Sequence, residues 1–239
     1  MARNQELLEL FEGLRVTDVN DGLDAVGLID TCTMDWEIRP LWRDIEGFKH
    51  RICGFAHTVR FVPTNRVVPR PLSLEDYKQW KADWYAEVGS KMRDYPIESG
   101  DIMVFDGHDL GDVGFIGSSN SFGWINKGAR GAVTNAGCRD TDEIIKQQIP
   151  VYSKRIARGI KPGRLEWDAQ QVPISCGGVR VYPGDIVVAD GDGVVVVPVK
   201  HAEDVAAVAR EIANQDKESR RRHYKRAGLE PDWTVETLS

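Results

Sequence analysis

Residues 172–198 read VPISCGGVRVYPGDIVVADGDGVVVVP, and the punctuation of this stretch decides the fold class. Gly177-Gly178, Pro183-Gly184-Asp185 and Gly191-Asp192-Gly193 are turn signals that cut the apolar text into three short strands. The last run, Val194 to Val197, has no polar position at all. A strand with one wet face alternates, so a continuous β-branched run reads as a strand buried on both faces. The turn acids Asp185, Asp190 and Asp192 need only hairpin chemistry to explain them.

Working outward, GAVTNAG at 131–137 is a strand of small residues closing at Gly137, and RDTDEIIKQQ behind it opens a helix. IMVFD at 102–106 and VYSKRIA after Pro150 read as further strands, and HRICGFAHTVRFVP at 50–63 alternates through Ile52, Gly54, Ala56 and Thr58. The glycine-rich segment 107–123 runs into a helix ending near Lys127-Gly128. Helical spacing appears at 4–14 (Leu7, Leu8, Leu10, Phe11, Leu14) and again from Thr17 or Asp18 until Gly27 stops it. A third helix, 72–93, carries Tyr77, Trp80, Trp84 and Tyr85 before Pro96 breaks it. A long charged helix spans 202–227. The chain reads as one mixed α/β domain, 1–239. Residues 202–239 form a helix and tail whose apolar face is too narrow for its own core, so they are expected to pack on a neighbouring subunit.

Composition excludes some classes. The 239 residues carry 31 basic and 37 acidic side chains, a formal charge of −6, which argues against a general nucleic-acid surface. Mean hydropathy is −0.37 and no apolar run approaches the ~18 residues of a membrane span. The opening segment holds Glu6, Glu9 and Glu12 among its leucines, as an amphipathic helix does and a signal peptide does not. Cys32, Cys53, Cys138 and Cys176 form no C-x-x-C clip. Reduced thiols and a cytoplasmic location are the expectation.

Two places could carry chemistry. Asn135-Ala136-Gly137-Cys138-Arg139-Asp140 sits at a strand-to-helix junction, the edge where open α/β sheets bind ligands. Arg139 could grip a carboxylate or enolate oxygen and Asp140 a hard divalent cation. For the pair taken alone the plainer reading is favoured: Asp140 caps the next helix while Arg139 pairs with a nearby acid. In the segment 107–123, Ser118-Ser119-Asn120 opens a helix after Gly117. Its amides could form an anion site, or Ser118 could simply be the N-cap. His108, Asp109 and Asp112 share that loop and could add metal donors or only face solvent. The stripe Tyr77, Trp80, Trp84 reads as core or interface in preference to a stacking platform.

Together, VTDVNDGLDAVG at 16–27, KGARGAVTNAGCRDTDEI at 127–144 and the opening stretch at 172–198 resemble the RraA-like family. That family includes the regulator of ribonuclease activity A and metal-dependent aldolases for 4-hydroxy-4-methyl-2-oxoglutarate and 4-carboxy-4-hydroxy-2-oxoadipate. Its signature is a glycine, a later Arg-Asp pair and an acid just beyond, which Gly117, Arg139, Asp140 and Glu143 fit. The resemblance implies a compact α-β-β-α sandwich of the swivelling phosphohistidine-domain type with a C-terminal helical extension. It implies homotrimers or homohexamers with sites between subunits. It also implies a small anionic oxo acid as substrate, Mg²⁺ or Mn²⁺ as cofactor, and neither nucleic acid nor membrane as partner. By resemblance, the loop Gly117-Ser118-Ser119-Asn120 binds substrate, the amides of Ser119 and Asn120 taking the pyruvate carboxylate. Arg139 contacts the pyruvyl oxygens and Asp140 positions the metal. Glu218, or else Glu211, enters a neighbour's site, and Asn65 matches an asparagine near the substrate.

The implied reaction is retro-aldol release of pyruvate, with oxaloacetate decarboxylation as a side activity. The alternatives are a metal-dependent hydratase or isomerase of a sugar-acid derivative, or a non-enzymatic ribonuclease regulator. That regulator type is shorter and lacks a C-terminal helix, so residues 202–239 favour the enzyme. One departure stands out: the aldolases carry an acid directly after the glycine, where this chain has Ser118. The missing donor would fall to His108, Asp109 or Asp112. The insertion 66–96 is also not typical of the family's shorter members.

Overall fold

In the computed structural model, which describes residues 4–70, 73–89 and 95–238, the apolar runs of the sequence become one curved sheet. Its strands are β1 (Arg39–Pro40), β2 (Ile52–Pro63), β3 (Asp101–Asp106), β4 (Gly114–Ile116), β5 (Gly131–Cys138), β6 (Val151–Ile156), β7 (Leu165–Gln170), β10 (Ile186–Asp190) and β11 (Gly193–Val197). The order is β1-β6-β5-β3-β2-β10-β11, with β4 on β5 and β7 on β2. β2, β3, β5 and β6 run parallel, and β10, β11, β7 and β1 pair antiparallel. The sheet curls until its ends nearly meet, where the Arg39 guanidinium donates to the Asp192 carbonyl at 2.6 Å. A separate hairpin, β8 (Ile174–Cys176) and β9 (Val179–Val181), plugs the interior.

The side-chain alternation of a strand explains the layering. Val194 and Val196 of β11 face the interior with Val187, Ala189, Ile102 and Val104. Val195 and Val197 face outward against α1 (Gln5–Glu9), α2 (Val16–Ala25) and α6 (Ala202–Ala227). Met103 and Phe105 of β3 point outward elsewhere, into a core with Trp124 and Ile144 of α4 (Ser118–Ile125) and α5 (Thr141–Lys146). In section the order is helix, sheet, sheet, helix. The four valines of 194–197 are each at most 2% exposed, so β11 is buried on both faces as its sequence predicts.

Several expectations are corrected. The stretch 172–198 holds four strands, not three, because the Gly177-Gly178 turn closes a hairpin too short to carry a hydrophobic pattern. β4 and β7 were absent from the sequence reading. α1 is shorter than 4–14, since Leu10 to Gly13 continue as turns. The aromatic helix α3 (Leu74–Trp84) gives way to a single π-helical turn, Tyr85–Gly89; the rest of the expected 72–93 includes residues outside those described. α6 has the predicted bounds, yet its narrow face does pack on its own chain. Ala202, Ala206, Ala209 and Ala213 are small enough to bring it close to α2 and the sheet. The tail follows it home: Asn214 and Leu238 exchange hydrogen bonds, and Val235 is buried.

All four cysteines are free. Among the described residues, no helix is long and apolar enough to cross a membrane. Because β11 is covered on both sides, Val195→Ala and Val196→Ala should each lower stability by about 2 kcal/mol in urea unfolding. A strand with one wet face would show a loss at only one of the two.

Candidate active site

The parallel strands β2, β3 and β5 all end at one edge, where β4 also terminates beside β5. The Arg139 amide donates to the Ile116 carbonyl at 2.8 Å as the chain leaves β5. Asp140 then adopts a left-handed conformation, φ 55° and ψ 42°. This turn decides its role. Asp140 occupies the N-cap position of α5, but its carboxylate makes no capping bond. Instead its Oδ1 accepts from Arg139 Nε at 3.1 Å.

Two glycines make room for this pair. A Cβ on Gly117 would lie 2.9 Å from Asp140 Oδ2, and one on Gly114 would lie 2.7 Å from Arg139 Cγ. The Arg139 stem and the Asp140 carboxylate therefore nest against bare backbone, each side chain about one-third exposed. Gly117 itself is the N-cap of α4, which places Ser118 inside the helix and removes it as a cap. The first backbone bond into that helix runs from Ser121 N to Gly117 O at 3.0 Å. The amides of Ser118, Ser119 and Asn120 thus form an open helix N-terminus beside a guanidinium.

The neighbouring loop is braced. Asp106, almost wholly buried at the end of β3, accepts from Asn135 Nδ2 at 3.2 Å and from the His108 amide at 3.1 Å. Asn135 Oδ1 in turn accepts from the Gly107 amide at 2.8 Å. Sequence reading passed over Asp106; its one signal is a charged residue ending an otherwise apolar strand. Asp109 is held by Lys154 at 3.0 Å and Arg155 at 2.5 Å, and Asp112 by Arg158 at 2.8 Å. Those two carboxylates are paired with cations of β6 and the loop after it. His108 takes a left-handed backbone on the exposed loop.

Other candidates lie apart from this pair. Glu218 sits on α6, which packs on α2 and not on α4 or α5, so within one chain it stays outside the Arg139 crevice. Glu211 lies on the same helix, accepting from Gln215 at 3.3 Å. Asn65 is exposed beyond the end of β2, between Thr64 and Arg66, which both bind Glu166. The aromatic stripe is packing: Trp80 bridges Tyr77 and Trp84 at ring separations of 5.9 and 5.8 Å, and buried Trp84 donates to the Leu165 carbonyl. Just beyond it, burial pushes the Tyr85 phenol up while the Arg139 charge opposes that rise. Cys138, next to Arg139, is no nucleophile, because burial pushes its thiol up to about 12.

Lys161 is the residue sequence reading missed. Its side chain is nine-tenths buried, with Nζ 4.7 Å from the Phe61 ring centroid. Burial alone lowers its amine to about 8. The loop bearing it is tied to the site, since the Gly114 amide donates to the Gly159 carbonyl at 2.9 Å.

No group of three or more His, Cys, Asp or Glu side chains gathers to hold a metal among the described residues. A single carboxylate is still compatible with a magnesium-type ion, which keeps most of its waters and takes further oxygens from its substrate. Asp140 supplies one such hard donor, with Oδ2 turned to the Gly117 backbone.

A protein-family model described as RraA-like, Aldolase/RraA, matches residues 16–196. A Deinococcus radiodurans protein named "Putative 4-hydroxy-4-methyl-2-oxoglutarate aldolase" is 29% identical over 175 residues, 73% of this chain and 94% of that one. Protein DlpA of Legionella pneumophila is 25% identical over 199 residues, which are 83% of this chain and only 28% of DlpA. Among solved structures, Streptomyces coelicolor RraAS2, of the RNase ES inhibitor RraA protein family, superposes with a TM-score of 0.71 at 24% identity. That alignment covers 92% of this chain and 98% of RraAS2, and the likeness is one of fold.

The lowered Lys161 value has a measurable consequence. Because the folded-state value, about 8, lies below the ordinary 10.5, the unfolded chain binds the proton more tightly between them. Native stability from this group therefore rises with pH across that window. Below it the native state carries a burial cost of about 3 kcal/mol. Lys161→Met should exceed the wild type in stability at neutral pH, with the gap closing as pH rises from about 8 to 10.5. A gap independent of pH, read from urea midpoints, would contradict this assignment.

Proposed function

This chain belongs to the RraA-like family, and from that premise we propose that it is a divalent-metal-dependent lyase releasing pyruvate from a 4-hydroxy-2-oxo acid. The observation that carries the reading is the nesting of Arg139 and Asp140 against Gly114 and Gly117 at the open N-terminus of α4. An anionic oxo acid needs three things that this edge offers. The amides of Ser118, Ser119 and Asn120 take its carboxylate at the positive end of the helix. Arg139 takes the 2-oxo oxygen. Asp140 would hold Mg²⁺ or Mn²⁺, hard ions suited to a carboxylate oxygen donor.

The chemistry follows from where charge develops. Loss of the 4-hydroxyl proton cleaves the C3–C4 bond, and the bonding electrons pass to the pyruvyl unit as an enolate. The Arg139 guanidinium is a fixed donor for that oxyanion, stronger in the crevice than in water. When bound, the cation adds Lewis-acid stabilisation to the same oxygen. Protonation at C3 then yields pyruvate. Oxaloacetate decarboxylation passes through the same enolate and is the expected side reaction. Neither route consumes a protein amine.

In this proposal the sites lie between subunits of a trimer or hexamer, with the exposed face of α6 carrying Glu218 toward a neighbour and Glu211 as the alternative acid. Asn65 is assigned to the substrate's far end. The names of the aldolase-like relatives support the lyase reading over the hydratase or isomerase reading. RraAS2 supports the fold alone.

Pyruvate release from oxaloacetate or 4-hydroxy-4-methyl-2-oxoglutarate, coupled to lactate dehydrogenase, should vanish with EDTA and return with Mg²⁺ or Mn²⁺. Absence of any metal-dependent rate on both substrates would reject the lyase. Arg139→Ala and Asp140→Ala should each lower kcat by roughly 100-fold or more. The melting temperature of Asp140→Ala should stay near that of the wild type, because its side chain caps nothing in the fold.

A further inference from the structure

Away from the Arg139 edge, a pocket of about 620 Å³ opens between α6, the tail and the loops before α2 and β2. Four cations line it: Arg15, Arg51, Lys217 and Arg220. They come from distant parts of the sequence, so the fold has gathered them. On α6, Lys217, Arg220 and Tyr224 share a face by helical spacing and turn toward the chain's own tail. Glu218 lies on another face, so the pocket is separate from the residue assigned to a neighbour's site.

Only one of the four charges is neutralised nearby. Arg15 is paired with Asp18 and, at 2.9 Å, with Asp216. Arg51, Lys217 and Arg220 have no carboxylate within ion-pair distance among the described residues, and the Nε atoms of both arginines lack any hydrogen-bond partner. Lys217 is 8% exposed and donates only to the Thr234 carbonyl, at 3.2 Å. Burial lowers its amine, and Arg220, Arg15 and Arg51 lower it further by repulsion. Acids do stand at a distance: Asp190 opposes the lowering of Arg51, while Asp232 and Glu236 lie on the rim. Asp232 is already bonded to the amide and hydroxyl of Thr234. The walls are aromatic. Arg51 lies 3.9 Å over the Phe48 ring, and Phe48 packs edge-on against Trp233 at 4.8 Å.

We propose that this pocket is a second ligand site, for a small phosphorylated molecule. Its phosphate is held by Arg51, Lys217 and Arg220, and its apolar or aromatic body lies against Phe48 and Trp233. Converging cations without a counter-charge raise the energy of the free protein, and a dianion relieves all three repulsions at once. Guanidinium forks suit phosphate oxygens. The volume exceeds what inorganic phosphate alone would fill, so an ester of nucleotide size is the expected class.

The test is calorimetric titration of the full chain with inorganic phosphate, pyrophosphate and ADP, with malonate as a dicarboxylate control. Binding is expected to strengthen from phosphate to ADP, to exceed malonate, and to weaken as salt is raised. Arg51→Gln and Arg220→Gln should each raise Kd roughly tenfold or more, and Arg139→Ala should leave it unchanged. Arg220 is only half-buried and makes no ion pair among the described residues, so its variant keeps the test open if Arg51→Gln fails to fold. The site is refuted if no phosphate probe binds at millimolar concentration, if malonate binds as well as ADP, or if both glutamine variants bind like the wild type. Binding lost in Arg139→Ala but kept in the other two would assign the anion to the catalytic edge and equally refute the pocket. Neither result bears on metal-dependent pyruvate release, which is measured separately.

Discussion

A sheet covered on both faces leaves charge almost nowhere to go except its edges, and the organisation of this protein follows from that constraint. β11 presents valines to both sides, and β3 presents Ile102 and Val104 inward and Met103 and Phe105 outward. Uncompensated charge at such positions would cost several kcal/mol. Most polar groups that do enter are bonded, Ser153 Oγ and Gln170 Oε1 being exceptions. His57 and Asp101 are wholly buried with Nδ1 and Oδ2 3.0 Å apart, and the side-chain amides of Gln170 and Gln171 reach the same ring. The groups of the proposed site accordingly lie at the carboxyl edge, where Asp106, Arg139 and Asp140 follow directly on the last apolar residues of their strands.

At that edge, backbone shape does as much as side-chain chemistry. Asp140 could have capped α5 in the usual way, and its left-handed turn sends the carboxylate back toward Gly117. Gly114 and Gly117 then appear less as flexible loop residues than as the floor on which a guanidinium and a carboxylate lie. The brace of Asp106 and Asn135, and the ion pairs of Asp109 and Asp112, hold the adjoining loop by separate bonds. Lys161 is the exception that proves costly, an amine buried against Phe61 in the loop bonded to β4.

The C-terminal helix shows how a polar segment can serve two surfaces. Alanines at 202, 206, 209 and 213 allow close approach over its first turns, so a narrow apolar stripe is sufficient. Beyond them the same face becomes cationic, with Lys217 and Arg220 meeting Arg15 and Arg51, while the other face stays exposed. A reading based on apolar width alone assigned the whole helix to a partner. Side-chain size, not stripe width, sets how closely a helix can dock.

From its residues alone, the sequence determined the α/β class, the burial of β11 on both faces, the bounds of α6, and the placement of Arg139-Asp140 at a strand-to-helix junction. These are properties of period and punctuation, which are local. Tertiary structure alone decided the three-residue strand β4, the partner of β7, the contact of Gly117 with Asp140, and the burial of Lys161. It also decided that Arg15, Arg51, Lys217 and Arg220 line one pocket. Each of these depends on segments far apart in the chain being brought into register. A short strand has too few residues to show a period, and no pattern around a lysine tells whether its amine will meet water or a phenyl ring. Which way Asp140 turned was open for the same reason: a cap and a site carboxylate look alike until the backbone across the crevice is in place.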